Sequence, residues 1–157
     1  MGDGGGKGDI VPNDADTVTV DPAPTEADLA AVEAGLSAYN QRFIGLPDRR
    51  PLARVLRDVG GTIRGGLVGD TSRGWLYVDY LWVADELRGS GWGSRLLAEA
   101  EGEAVARGCH RAYLETNDYQ APDFYLRRGY AVVGRIPDFS GDHDRLYLTK
   151  HLMTDGE

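Results

Sequence analysis

The run Trp75-Leu76-Tyr77-Val78-Asp79-Tyr80-Leu81-Trp82-Val83 is apolar or aromatic at every position except Asp79, and a turn containing Gly89, Gly91 and Gly93 follows it. So dense a run of aromatic and branched side chains reads as a central strand that is largely buried. The chain then turns helical. From about Gly91 to Arg107, Leu96, Leu97, Ala100 and Ala104 mark an inner face, and Gly108 is placed to end the helix. Residues 111–116 (RAYLET) return as a strand. A strand–helix–strand unit of this kind requires a sheet with a helix packed against it, so the centre of the chain predicts a mixed α/β domain.

The flanks extend that pattern. Thr17-Val18-Thr19-Val20 alternates as a first strand, and Pro22 and Pro24 break it. Thr25 predicts an N-cap with Glu26 and Asp28 in the next turn, after which Leu29, Val32, Leu36 and Tyr39 recur at helical spacing. After a loop at 45–51, strands are expected near 52–58 and 62–69 around a Val59-Gly60-Gly61 turn. A short helix at about 121–128 ends at Gly129, and strands near 130–136 and 145–150 close the chain. The Gly- and Asp-rich residues 1–15 read as a mobile tail, leaving 16–153 as one domain. Tyr80 and Trp82 share a strand face and are expected in the core.

Composition excludes several classes of function. A formal net charge of −8 over 157 residues disfavours a nucleic-acid binder and tilts the expected partner toward a small cationic amine. Cys109 is the single cysteine, so neither an intrachain disulfide nor a cysteine metal cluster can form, and it reads as buried filler rather than a nucleophile. His110, His143 and His151 lack metal-ligand spacing, and no metal is expected. His143, between Asp142 and Asp144, reads as part of a surface loop. The chain shows no basic-then-apolar leader and no apolar run near the ~20 residues of a membrane span, which gives a cytoplasmic expectation with no membrane partner.

The glycine turn carries the chemistry. Glycine lets an anion approach the main chain without a Cβ in the way, and the first N–H groups of a helix favour negative charge. A pyrophosphate fits such a turn. The dinucleotide fingerprint G-x-G-x-x-G fails, because its last glycine would fall on Ser94, and no Lys-Ser/Thr pair follows for a P-loop. A nicotinamide-dependent oxidoreductase is therefore disfavoured.

Val83-x4-Arg88-Gly89-x-Gly91-x-Gly93 resembles the acyl-CoA-binding motif R/Q-x-x-G-x-G/A of the GNAT acyltransferase superfamily, with Arg88, Gly91 and Gly93 in its fixed places. Downstream, Ala121-x2-Phe124-Tyr125-x3-Gly129-Tyr130 resembles the family's A-x-x-h-Y-x-x-x-G-F/Y helix, where h is apolar. The resemblance covers about 16–152 and implies a mostly antiparallel mixed sheet, flanked by helices, with a V-shaped splay between two parallel strands. It implies acetyl-CoA in that gap, contacted by Leu81, Val83, Arg88, Gly89, Ser90, Gly91, Trp92, Gly93, Ser94 and Phe124. Many members carry Asn seven residues before the Tyr. Here that position is Asp118, with Asn117 beside it, and either could face the pantetheine arm.

The reaction implied is direct acyl transfer to an amine in a ternary complex. Tyr125 matches the position of a Tyr that protonates the leaving thiolate, and Asp79 or Glu115, on the strands flanking the splay, could take the amine's proton, Asp79 being preferred. The alternative on the same fold is an acyl-CoA-binding sensor without turnover. The resemblance permits a monomer or a homodimer.

Overall fold

The computed structural model describes residues 18–152. They fall into two units, one ending at Gly45 and one starting at Leu46. The first contains helix α1 (Glu26–Ile44). The Thr25 hydroxyl accepts the Asp28 N–H at 3.3 Å while the Asp28 carboxylate accepts the Thr25 N–H at 2.8 Å, a reciprocal cap that fixes the start. Gly45, at φ 70°, ends it. The strand expected over 17–20 is not formed by its described residues: Val18–Val20 are irregular and exposed. Thr17 lies outside the described residues.

The second unit is a six-stranded sheet in the order β1-β2-β3-β4-β6-β5. Its elements are β1 (Arg50–Arg57), β2 (Ile63–Ser72), β3 (Trp75–Val83), α2 (Trp92–Ala106), β4 (Arg111–Asn117), α3 (Pro122–Leu126), β5 (Ala131–Ser140) and β6 (His143–His151), with one 3-10 turn at Asp85–Leu87. Every neighbouring pair is antiparallel except β3 and β4. The Asp58 carboxylate accepts the N–H groups of Gly60 and Thr62 and shapes the β1–β2 turn. Between β2 and β3, Arg73 and Gly74 both adopt positive φ, the two-residue hairpin geometry.

Helix α2 packs Leu96, Leu97, Ala100 and Ala104 against the sheet, where Leu67, Leu76, Leu114 and Leu148 are fully buried. Gly108, at φ 86°, ends this helix by donating to Val105 O while Cys109 N–H donates to Ala104 O, a Schellman closure. Helix α3 is shorter than the sequence predicts, because Arg127 to Gly129 already turn out of it toward β5. Strand β6 begins at His143, paired with Ser140 across Gly141-Asp142, so His143 lies on a strand and not in a loop.

The course of β3 departs from simple alternation. Val68 pairs with Tyr80 but the next residue, Gly69, pairs with Val78, which leaves Asp79 as the extra residue of a β-bulge. Leu76 and Val78 are buried before the bulge, whereas Leu81 and Val83 pack on the core after it. Tyr80 and Trp82 are thereby turned outward, 66% and 51% exposed, and do not pack in the core as the sequence suggested. Gly69 permits the bulge: a Cβ there would stand 2.1 Å from the Tyr77 carbonyl oxygen.

Candidate active site

Parallel pairing of β3 with β4 runs from Trp75/Arg111 to Val78/Leu114 and stops. Beyond that point β3 continues to Val83 and β4 to Asn117 without pairing to each other. The sheet forks there, and main-chain groups on the facing edges of the two strands need partners from elsewhere.

One side of the fork leads into the glycine turn. Gly89 and Gly91 take φ 75° and 87°, angles costly for any residue with a Cβ. Gly91 is the N-cap of α2, and no side chain caps this end. The first bond of the helix joins Arg95 N–H to Gly91 O at 3.0 Å, so the N–H groups of Trp92, Gly93 and Ser94 precede the ladder. An anion is the natural partner for such an end. Arg88 donates through Nε to Val83 O at 3.2 Å and pairs with Asp85 at 3.1 Å, so the Val83 carbonyl is engaged by the turn itself. The Ser90 hydroxyl donates to Leu87 O.

Gly93 has a steric role. A Cβ on it would meet the Phe124 ring at 3.3 Å, so its absence lets α3 lie against the first turn of α2. That approach also brings in Arg128. Its guanidinium lies 3.7 Å over the Phe124 ring, donates to Phe124 O at 2.7 Å and reaches the Ser94 hydroxyl. A cation therefore stands beside the uncapped helix end.

Tyr125, on α3, has a buried ring in edge-on contact with Phe124 at 5.0 Å and Tyr130 at 5.8 Å. Burial pushes its phenol pKa up, so the hydroxyl keeps its proton at neutral pH. Among the described residues no buried side-chain polar atom lacks a partner, yet no acceptor takes the Tyr125 hydroxyl; the hydroxyl therefore reaches accessible space.

The face of the sheet opposite α2 carries the carboxylates. The Tyr77 hydroxyl lies 3.4 Å from Asp79 Oδ1 and 3.3 Å from Glu115 Oε1, bridging the two strands where they part. Burial, then the Glu115 and Asp79 carboxylates, push the Tyr77 phenol up to about 12, so it too stays a donor. Glu115 has a cation at 3.7 Å in Arg145, which also donates to Asn117 Oδ1 at 3.3 Å. Among the described residues Asp79 has no ion-pair partner, and its one hydrogen bond is from Tyr77. Asn117 donates to the Tyr119 hydroxyl at 2.9 Å. Asp118 accepts the Asp144 N–H at 3.1 Å and meets His143 Nδ1 at 2.8 Å, contacts that hold its carboxyl below the usual range. Both residues thus help clasp β4 to the start of β6.

Residues 21–130 match the Acetyltransferase (GNAT) family. The chain belongs to the GNAT acetyltransferase family. An acetyltransferase of Agrobacterium fabrum is 40% identical over 135 residues, covering 86% of this chain and 98% of that protein. A blasticidin-S acetyltransferase of Streptomyces morookaense is 46% identical over 94 residues, 59% of this chain and 65% of that one. The crystal structure of an acetyltransferase from Bacillus cereus superposes with a TM-score of 0.80 at 28% identity, covering 86% of this chain and 98% of that one. The forked mixed sheet is accordingly the GNAT fold.

In this GNAT acetyltransferase the glycine turn, Phe124 and Tyr125 gather around the N-terminus of α2, while Asp79 and Glu115 stand across the fork point on the opposite face of the sheet. Leu81 packs with Val83 on the core after the bulge. Cys109 is buried and its thiol is pushed up by that burial, which suits a packing role. Sequence reasoning missed Tyr77, Arg145 and Arg128. Tyr77 carried a signal, since it stands two residues from Asp79 on one strand face; the two arginines reach their partners only through the tertiary fold.

Proposed function

We propose that this GNAT acetyltransferase moves the acetyl group of acetyl-CoA onto the primary amine of a small cationic acceptor, by direct attack in a ternary complex within a domain spanning 16–153. The observation that carries this reading is the fork itself: an uncapped, arginine-flanked helix end lies at the close of one of its strands, and across the sheet stands the Asp79 carboxylate, which has no ion-pair partner among the described residues. The N–H groups of Trp92, Gly93 and Ser94, with Arg128, would hold the cofactor's pyrophosphate. The thioester supplies an activated acyl group; the chain must supply proton transfers.

An alkylamine with a pKa near ~10 is only roughly 0.1% neutral at pH 7. Asp79 attracts the ammonium form and takes its proton, while Glu115 stays paired with Arg145. Nitrogen then bonds to the thioester carbon and the C–S bond breaks; Tyr125 gives its proton to the departing sulfur and is reprotonated with the proton the nitrogen sheds as it becomes the neutral amide, while Asp79 returns its proton to solvent. A cationic acceptor agrees with the chain's −8 charge, and a small one with relatives named for small molecules, the blasticidin-S enzyme and a nourseothricin acetyltransferase of 28% identity and TM-score 0.59.

Thermal melts test the cofactor and an amine panel tests turnover. Acetyl-CoA at ~100 times its Kd should stabilise the fold by about 2.7 kcal/mol and raise Tm by roughly 5–10 °C, with no shift for NAD. CoA release should then appear with cationic amines. No shift at millimolar acetyl-CoA would end the cofactor reading; a shift without release for any amine would favour a sensor.

A further inference from the structure

We infer that Tyr77 is a positioning residue for acetyl transfer: its hydroxyl pins the Asp79 carboxylate at the fork so that the carboxylate meets the acceptor amine. This rests on Asp79 being the proton acceptor proposed above. Asp79 is the extra residue of a bulge, so the β2 ladder does not fix its course as it fixes that of Val78 or Tyr80. Its carboxylate is also without an ion-pair partner among the described residues. Arg49 acts on it only through the longer-range field, and the Tyr77 hydroxyl at 3.4 Å is its one hydrogen-bond donor among the described residues.

Tyr77 is suited to this. Its ring stacks on Tyr113 at 4.8 Å with the planes 26° apart, an anchor that does not involve the hydroxyl. A phenol has one proton to donate, and two carboxylates compete for it. Glu115 is the nearer at 3.3 Å but is already compensated by Arg145 at 3.7 Å, whereas Asp79 has no ion pair among the described residues. Other charged or titratable groups around Asp79 are Arg49 and Asp70, paired with each other at 2.6 Å on the β2 side, Tyr113 and Glu115 on β4, and Arg145 on β6. Both arginines keep their charge throughout the working pH range.

The experiment is a pH profile of acceptor kcat/KM for the wild type, Tyr77→Phe and Asp79→Asn. Tyr77→Phe retains the ring stack, so it should fold and keep the full Tm shift with acetyl-CoA. Its kcat/KM at neutral pH should fall about tenfold, through kcat and not through the acceptor's KM, as the carboxylate loses its fixed position. Asp79→Asn should flatten the acidic limb. If Asp79→Asn flattens it while Tyr77→Phe overlays the wild type, the inference about Tyr77 is wrong and the role of Asp79 stands. If Asp79→Asn leaves the limb in place, both fall. Tyr77→Trp, which also lacks the hydroxyl but keeps an aromatic ring against Tyr113, replaces the Phe variant should that one fail to fold.

Discussion

Gly69 lies opposite the bulge that carries Asp79, and replacing it with alanine should damage fold and activity together. The added Cβ would stand 2.1 Å from the Tyr77 carbonyl oxygen, 3.2 Å from its carbon and 3.3 Å from Val78 Cα. All three are main-chain atoms, so no rotamer change relieves the clash, and β2 must move away from β3. Overpacking of this kind costs about 1–3 kcal/mol. Losing the ladder bonds beside the bulge, where Gly69 meets Val78 and Val68 meets Tyr80, adds about 1 kcal/mol each. We expect Gly69→Ala to lose about 3–5 kcal/mol in urea unfolding and to lower Tm by about 6–20 °C. Acceptor kcat/KM should fall further than acetyl-CoA affinity, because Asp79 moves while the turn from Arg88 to Ser94 does not. A variant within about 0.5 kcal/mol of wild type, with unchanged kinetics, would show that the bulge does not depend on that missing Cβ.

Three further substitutions probe the remaining parts of the site. Tyr125→Phe removes the proposed acid but leaves the buried ring, so kcat should drop about 100-fold in a thiol-release assay while the acetyl-CoA melting shift persists; an undiminished kcat would remove Tyr125 from the mechanism. Arg128→Met keeps some contact with Phe124 but takes the cation from the end of α2, so the Kd for CoA should rise about tenfold by calorimetry and depend less on salt; an unchanged Kd would place the pyrophosphate elsewhere. Asp118 has a depressed carboxyl pKa, so its contacts contribute stability above its unfolded value near ~3.9 and lose it as the pH falls through the lower folded value. Asp118→Asn should therefore be less stable than wild type at pH 6 and converge with it in strong acid, as urea melts at a series of pH values would show.

The sequence speaks most clearly where structure is set by neighbours along the chain. The cap at Thr25, the closure at Gly108 and the turn at Gly60-Gly61 each depend on residues within one turn of the position they fix, and the strand and helix periodicities depend on burial of one face. The fork carries no such local mark: it exists because β4 pairs with β3 only as far as Val78, and its parallel register was reached through family resemblance. The bulge was hidden for a related reason. Alternation read along β3 placed Tyr80 and Trp82 inward, but the phase of that alternation is reset by Gly69 on another strand. Arg128 was equally out of reach, since it meets Ser94 only because Gly93 lets α3 settle on α2. The resulting division has a physical cause. The groups proposed to hold the cofactor cluster in one contiguous turn, where a motif can be read, whereas those proposed to handle the acceptor's proton come from β3, β4 and β6. Tyr77, Asp79, Glu115 and Arg145 become one site only after three strands are in register, so substitutions that shift register, such as Gly69→Ala, should separate acceptor chemistry from cofactor binding.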